Sequence, residues 1–484
     1  MDIQPPQAPD GVASSSSWRD WLLLVCAGLG SLLALVGWYH LATLPYQLDY
    51  GEGAMLEGAL RVRQGQPLYP APSGLPIVIH VYGPIAYAVE ALALGHGLSF
   101  LGGRVLVLLC SLAISVLIST LLCHRTHSVP VALAFGLVLL TIPAFRFWLY
   151  LLRADLIGIV FLLAGLSLYA LKPRYLLWST PFFSAALFCK YSLVAAPIAL
   201  ILHLCLRRQY KIAMRFAMLL ATLCGVAFWL LQVNSSGGFA FHMLSTHYDT
   251  YRFAQFFGLM GLVWLSAPVI TGLALFHVEQ SFSLTDPDLA TLYFLVACVT
   301  SLTAGKLGST TNHFLEWMVA ACLCAGMGYA RMEADRPRFL SPLALALSIS
   351  ILVSAGLQTR AALRPDPELS GCVGAYEYVL NSKSSRVLSQ SLGLLLLTGK
   401  PVILTDPFAY GQLVRHRVLS DGSLMHAIDE RYFDLIVTSV DPENAGSRGS
   451  DIWPPSLLQA MGRQYHLVKR FDCRDGSVML EPRP

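Results

Sequence analysis

Apolar runs about twenty residues long recur along this chain, and their length constrains the fold more than any motif does. A helix of roughly 20 apolar residues matches the hydrocarbon core of a bilayer. The first run is Trp21–Leu44, too long for a signal-peptide core and without a clear cleavage site. Others cover 104–123, 129–149, 154–171, 211–232, 257–277, 288–305, 316–331 and 339–359. Two shorter runs, 176–189 and 191–206, meet at Lys190-Tyr191 and are predicted to form a tight hairpin. Charged residues are 13 % of the 484, about half the roughly 25 % of a soluble domain. This argues against a soluble enzyme and a disordered chain. The net charge of +4 makes no case for nucleic acid. Most of the 11 cysteines sit inside apolar runs, and no CxxC or Cys/His spacing suggests a metal or a disulfide framework.

Basic residues mark cytoplasmic loops. Arg125, Lys172, Arg174, Arg207, Arg208, Lys211, Arg215, Arg331, Arg336 and Arg338 all fall on one side when spans are counted from 104 onward. Arg104 then opens its span on the outer side. With a cytoplasmic N-terminus, 82–98 does not cross the membrane, and Tyr82-Gly83-Pro84, Glu90 and Gly95-His96-Gly97 interrupt it. The expected fold is an all-α polytopic membrane protein of about 11 transmembrane helices. The rival reading makes 82–98 a twelfth span and forces one end to switch sides. The Pro- and Ser-rich residues 1–17 read as a disordered cytoplasmic tail. Residues 18–360 form the membrane domain, with an outer loop, 45–103, that carries juxtamembrane helices.

Residues 361–484 read as a C-terminal extracytoplasmic α/β domain. Arg386–Ser389, Pro401–Thr405, Asp434–Ser439, Tyr465–Phe471 and Val478–Glu481 are predicted strands, with a helix through Ser391–Thr398. Cys372 and Cys473 either pair or stay as thiols.

The richest stretch for chemistry is Tyr46-Gln47-Leu48-Asp49-Tyr50-Gly51-Glu52-Gly53, followed by an amphipathic segment that Gly65 would close. Two acids at an apolar boundary suit general-base work, because desolvation raises a carboxylate pKa. Asp49-x-x-Glu52 equally fits a capping box, and one residue can cap while the other reacts. Other boundary charges are Arg153, Asp155, Lys190, Lys306 and His313. Such charges are costly near lipid and default to functional candidates, although Lys190 could simply snorkel and Arg153 could simply pair with Asp155. Arg104, Arg153, Lys190 and Lys306 all map to the outer side, where few cations are expected. Cations gathered with acids suit a phosphate-bearing ligand and a reacting hydroxyl. His242 and His247, five apart in the loop 233–256, lack a third metal ligand.

These residues resemble the polytopic GT-C glycosyltransferases, the superfamily of protein O-mannosyltransferases and the lipid A aminoarabinose transferase. The matching features are the acid-bearing loop Asp49…Glu52, Tyr82-Gly83-Pro84-Ile85-Ala86-Tyr87 as a proline-marked juxtamembrane helix, and Arg104 opening a span. Pro143 followed by Arg153-Ala154-Asp155, and Leu187-Phe188-Cys189-Lys190, complete the pattern over about residues 20–330. Many relatives have an adjacent Asp-Glu pair where this chain has Tyr50-Gly51-Glu52, so either Asp49 or Glu52 is the working carboxylate.

The resemblance implies an inverting transfer of a sugar from a polyprenyl-phosphate-linked donor to a glycan, lipid or protein acceptor on the outer face of a bacterial inner membrane. It assigns Asp49 as base, Glu52 as its helper, and Arg104, Lys190 and Lys306 as phosphate ligands. Asp155 orients one of them, with Arg153, His313 and Tyr82 also at the substrate. It calls for no cofactor beyond the membrane lipids around the chain and leaves metal dependence open. The competing readings are a transporter or flippase of lipid-linked sugars, which needs the cations but no base, and a structural envelope subunit.

Overall fold

The computed structural model describes residues 17–95, 97–247, 250–364, 367–443, 451–473 and 478–484. Residues 1–16 of the expected 1–17 tail lie outside them, as do Tyr248, Asp249 and the side chain of His247. Among the described residues, five helices are long and apolar enough to cross a membrane, and seven if each of two bent pairs is one span.

The first, α1 (Trp18–Ala42), starts at Ser17, whose N–H donates to Asp20 Oδ2 at 2.9 Å in a capping box. It packs on the helix Pro337–Ala362. The approach is close because Gly30 carries no side chain: a Cβ there would lie 2.7 Å from Ile351 Cγ2. The helix α2 (Tyr50–Arg63) follows, ending before Gly65 in the left-handed region at φ +66°. The short α3 (Pro84–Ala93) has Pro84 at its first turn, and α4 (Leu101–Thr126) opens with Arg104 in its own.

Two expected spans are not straight. The run 129–149 bends by 64° before Pro143, and 257–277 bends by 95° before Pro268. In each case proline removes an N–H from the helical ladder and clashes with the preceding turn. Lys190 lies in the turn between the helices Thr180–Leu187 and Ala195–Leu206.

The C-terminal segment carries a four-stranded sheet of β1 (Val387–Ser389), β2 (Leu435–Thr438), β3 (Tyr465–Arg470) and β4 (Val478–Pro482), in the order β1-β2-β4-β3. The β1–β2 pair is parallel and the other two are antiparallel. Leu388, Ile436 and Leu480 face a cluster with Phe433, Trp453 and Leu457. Val387, Leu435, Val437 and Met479 face Ala375, Val379 and Leu392 on the other side. Both faces are covered, which is why 434–439 reads as one continuous apolar run. Cys372 and Cys473 are disulfide-bonded.

The segment 401–405 is not a strand of this sheet. Leu404 makes an isolated parallel bridge to Ile77 instead. Ile77 N–H donates to Ile403 O at 2.8 Å, Thr405 N–H to Ile77 O at 3.1 Å, and Ile79 N–H to Thr405 Oγ1 at 2.7 Å. Tertiary pairing has recruited this stretch to the segment between α2 and α3. Ile77 and Ile79 join the sheet's cluster, and Ala54 of α2 joins the opposite one. The loop and the C-terminal segment thus share cores, which brings residue 406 to the polar site below.

Candidate active site

The site forms where the N-terminus of α2 meets the entrance of the helix Ala154–Leu171 and the turns around Lys190 and Lys306. A cavity of about 170 Å³ lies there, lined by Tyr82, Arg153, Lys190, Lys306 and His313 among others. Five sequence-derived candidates therefore converge on one space, from segments as far apart as residues 82 and 313.

Asp49 is the N-cap of α2. Its Oδ1 accepts from Gly51 N–H at 3.0 Å and forms an ion pair with Arg153 Nη2 at 2.9 Å. Capping and ion pairing use the same oxygen. Arg153 also donates from Nη1 to Tyr82 Oη at 3.2 Å and lies over the Trp148 ring. Its path depends on Gly51: a Cβ there would lie 1.4 Å from Arg153 Nη1. Burial holds the Tyr82 hydroxyl well above its ordinary pKa, with Arg153 pulling the other way.

The second carboxylate, Asp155, stands in the first turn of Ala154–Leu171. Its Oδ1 accepts from Lys190 Nζ and from Asn312 Nδ2 at 3.2 Å, while Oδ2 is buried without a hydrogen-bond partner. His313 Nδ1 lies 2.8 Å from Thr303 Oγ1. Arg153 and Asp155, neighbours in sequence, thus hold different partners.

Four candidates do not line the cavity: Asp49 and Asp155, whose partners Arg153 and Lys190 do, and the pair Arg104 and Glu52. Arg104 is fully buried, and its donors are all taken: Nε and Nη2 by the two oxygens of Glu52, and the rest by the carbonyls of Ala42, Leu44 and Tyr46. A guanidinium has five N–H groups, so none remains for phosphate. Glu52 is equally buried and saturated, accepting also from Leu48 N–H at 2.6 Å and Leu152 N–H at 3.0 Å. It reaches back to residue 48 rather than to Asp49, and Asp49 takes Gly51 N–H rather than Glu52 N–H, so Asp49 caps the helix but the reciprocal capping box does not form. The assignments of Arg104 to phosphate and of Glu52 as helper base are corrected accordingly. The pair ties the end of α1, the start of α2 and α4 together beneath the site.

His242 cannot serve as a metal ligand here. Its Nδ1 accepts from His80 N–H at 3.0 Å, and its Nε2 faces Pro70 O at 2.8 Å. Burial pushes its pKa down to about 4. No cluster of three or more His, Cys, Asp or Glu side chains suited to a metal occurs among the described residues.

Sequence reasoning missed Asn312 and Asp406. Asp406 is 7 % exposed and lines the cavity from the C-terminal segment. Its Oδ1 accepts from Tyr50 Oη at 2.9 Å and from Ala409 N–H at 2.9 Å. Burial pushes its carboxyl above the ordinary range, partly offset by those bonds. Asp406-Pro407 is a helix-start signal, N-cap followed by proline at N1, but nothing local says that the helix points at residue 50.

Comparison with solved structures places this geometry in a known fold. The chain matches ArnT from Cupriavidus metallidurans in the apo state with a TM-score of 0.64, at 13 % identity, over 94 % of this chain and 97 % of that one. The same protein bound to undecaprenyl phosphate matches at 0.63 and 12 %, over 96 % and 98 %. The oligosaccharyltransferase AglB from Archaeoglobus fulgidus, in complex with an inhibitory peptide and a dolichol-phosphate, matches at 0.57 and 11 %, over 93 % and 73 %. These are GT-C superfamily members, and at this identity the likeness is one of fold. No protein-family model matches the chain, and no curated protein matches it in sequence.

Proposed function

We propose that this chain is a membrane glycosyltransferase that moves a sugar from a polyprenyl-phosphate-linked donor to an acceptor hydroxyl, with Asp49 as the base. The observation that carries the reading is that Arg153 and Lys190, paired with Asp49 and Asp155, line one cavity at the ends of apolar helices. The two solved neighbours that hold undecaprenyl phosphate and dolichol-phosphate support a polyprenyl carrier.

In the proposed reaction the acceptor oxygen attacks the anomeric carbon as the bond from that carbon to the phosphate oxygen breaks. The electron pair of the broken bond leaves with the phosphate, beside Arg153, Lys190 and Lys306. The acceptor proton passes to Asp49. A single displacement with an oxocarbenium-like transition state inverts the anomeric centre. Cations near the leaving oxygen stabilise its developing charge. Asp155, which also accepts from Asn312, holds Lys190 in place. Tyr82 and His313 lie where they can contact the sugar or its phosphate.

The accompanying topology is eleven spans with 82–98 at the outer surface. Residues 361–484 are an extracytoplasmic α/β domain, in a bacterial inner membrane. An impermeant thiol reagent should label a Ser420→Cys variant in intact cells; labelling only after permeabilisation overturns this orientation. The function is tested by mass spectrometry of envelope glycans with and without the gene, complemented by the parent or by Asp49→Asn. A residue missing from the glycans while its lipid-linked donor accumulates outside supports transfer. Donor trapped on the cytoplasmic side supports the flippase reading instead.

A further inference from the structure

Glu316 is a buried carboxylate that the reaction above does not use. It is 5 % exposed and does not line the cavity. It stands in the first turn of the helix Leu315–Asp335, directly after Asn312 and His313, which do line it. Its Oε1 accepts from Ala196 N–H at 3.1 Å, a backbone amide rather than a cation. An acid at this depth is costly beside lipid and stays only where something holds it.

The helix Ala195–Leu206 has a local reason to need this bond. The first N–H groups of a helix find no partner within it. Its N-cap is Val194, which offers no side-chain oxygen and makes no cap bond. Glu316 comes from another helix and satisfies one of those orphan donors. It also lies at the start of its own helix. One carboxylate therefore sits between two helix N-termini, and the partial positive charge of each favours it.

The helix start held in this way is the far end of the Lys190 turn. Leu193 N–H donates to Lys190 O at 3.1 Å, two residues before Ala195. The near end is held by the start of α3: Gly83 N–H donates to Cys189 O at 3.0 Å, and Ile85 N–H to Phe188 O at 3.2 Å. The backbone around Lys190 is thus fixed on both sides, by α3 and by Glu316. The amine itself meets Asp155 Oδ1, where Asn312 Nδ2 also arrives at 3.2 Å. Asn312 and Glu316, four residues apart, reach the carboxylate that receives Lys190 and the helix that follows its turn.

We propose that Glu316 is a positioning residue for Lys190: by capping the helix Ala195–Leu206 it fixes the turn from which the amine reaches Asp155 and the donor phosphate. The effect on donor rests on the transferase reading; the effect on the Lys190 amine does not.

The test uses the full chain in nanodiscs, undecaprenyl phosphate as probe, and a double-variant cycle of Glu316→Met with Lys190→Met. Glu316→Met loses the bond to Ala196 and should weaken binding about fivefold in the parent. In the Lys190→Met background it should weaken binding less than twofold, because the residue it positions is gone. Glu316→Gln keeps an oxygen for Ala196 N–H and should bind within about twofold of the parent. A second readout needs no donor: acylation of the Lys190 amine by an N-hydroxysuccinimide ester, followed by mass spectrometry. Glu316→Met should raise it several-fold, with Lys383 unchanged. If Glu316→Met does not fold, Glu316→Asp, which draws the carboxylate back by one methylene, replaces it in both measurements and should show the same pattern. Equal loss of binding in the two backgrounds, or parental reactivity of Lys190 once Glu316 is changed, makes Glu316 a packing residue and overturns the proposal. A parent that binds no undecaprenyl phosphate overturns the transferase reading, while raised Lys190 reactivity in Glu316→Met still supports the positioning role.

Discussion

Arg153 reaches Asp49 only by crossing the bare backbone of Gly51, where a Cβ would stand 1.4 Å from Nη1. Gly51→Ala must therefore push the guanidinium away from both Asp49 and Tyr82. Transfer should fall at least about tenfold, the cost of losing one charge-assisted hydrogen bond. Parental activity and donor affinity in Gly51→Ala would remove Arg153 from the site.

Asp49 both caps α2 and pairs with Arg153 through one oxygen. Asn caps about as well as Asp but takes no proton. Asp49→Asn should insert and melt as the parent does, yet lose ~10²–10⁴-fold in transfer rate. Activity close to the parent's would leave Asp49 as a cap and pass the base role to Asp155.

Lys190→Met should weaken undecaprenyl phosphate binding by about tenfold or more. It also strands Asp155, whose Oδ1 loses Lys190. The double variant Lys190→Met/Asp155→Asn removes that burial cost, so it should regain stability without regaining donor affinity. Normal binding by the double variant would make the pair purely structural.

The Glu52–Arg104 pair calls for the opposite signature. Removing one partner of a fully buried pair costs roughly 3–5 kcal/mol, so Glu52→Gln should lower the melting temperature and the yield. The fraction that folds should retain donor binding. A parental melting temperature with a lost chemical step would restore Glu52 to the active site.

His242 makes its contact with residues 70–80 sensitive to acid. Its folded pKa of about 4 lies below the ordinary value, chiefly through burial, and its charged form would set an Nδ1–H against His80 N–H. The unfolded chain binds the proton more readily, so this stabilisation is full above pH ~6.5 and is lost as pH falls toward 4. Hydrogen exchange of residues 70–80 and 238–244 should quicken between pH 7 and 5 in the parent and less so in His242→Gln. Equal acid sensitivity in both would assign the effect elsewhere.

The apolar runs needed no tertiary information. Their length against the bilayer marked the five long apolar helices, and Pro84, Gly65 and the apolar run within 434–439 marked local elements, because caps, turns and short-range patterns act over a few residues. The cations and acids at the ends of those runs could also be named, since a charge beside lipid is conspicuous wherever it occurs. Pairing is another matter. Glu52 and Asp49 look interchangeable in Asp49-x-x-Glu52, yet one pairs with Arg153 at the cavity and the other is sealed against Arg104, 52 residues away. The stretch 401–405 has strand composition and was taken up by Ile77, which brought Asp406 to Tyr50. Arg146 lay unremarked inside an apolar run until α1 and the helix Pro337–Ala362 closed around it. Which charge meets which, and which is left without a partner, is decided by long-range packing, because electrostatic energies depend on distance and burial in space and not on order along the chain.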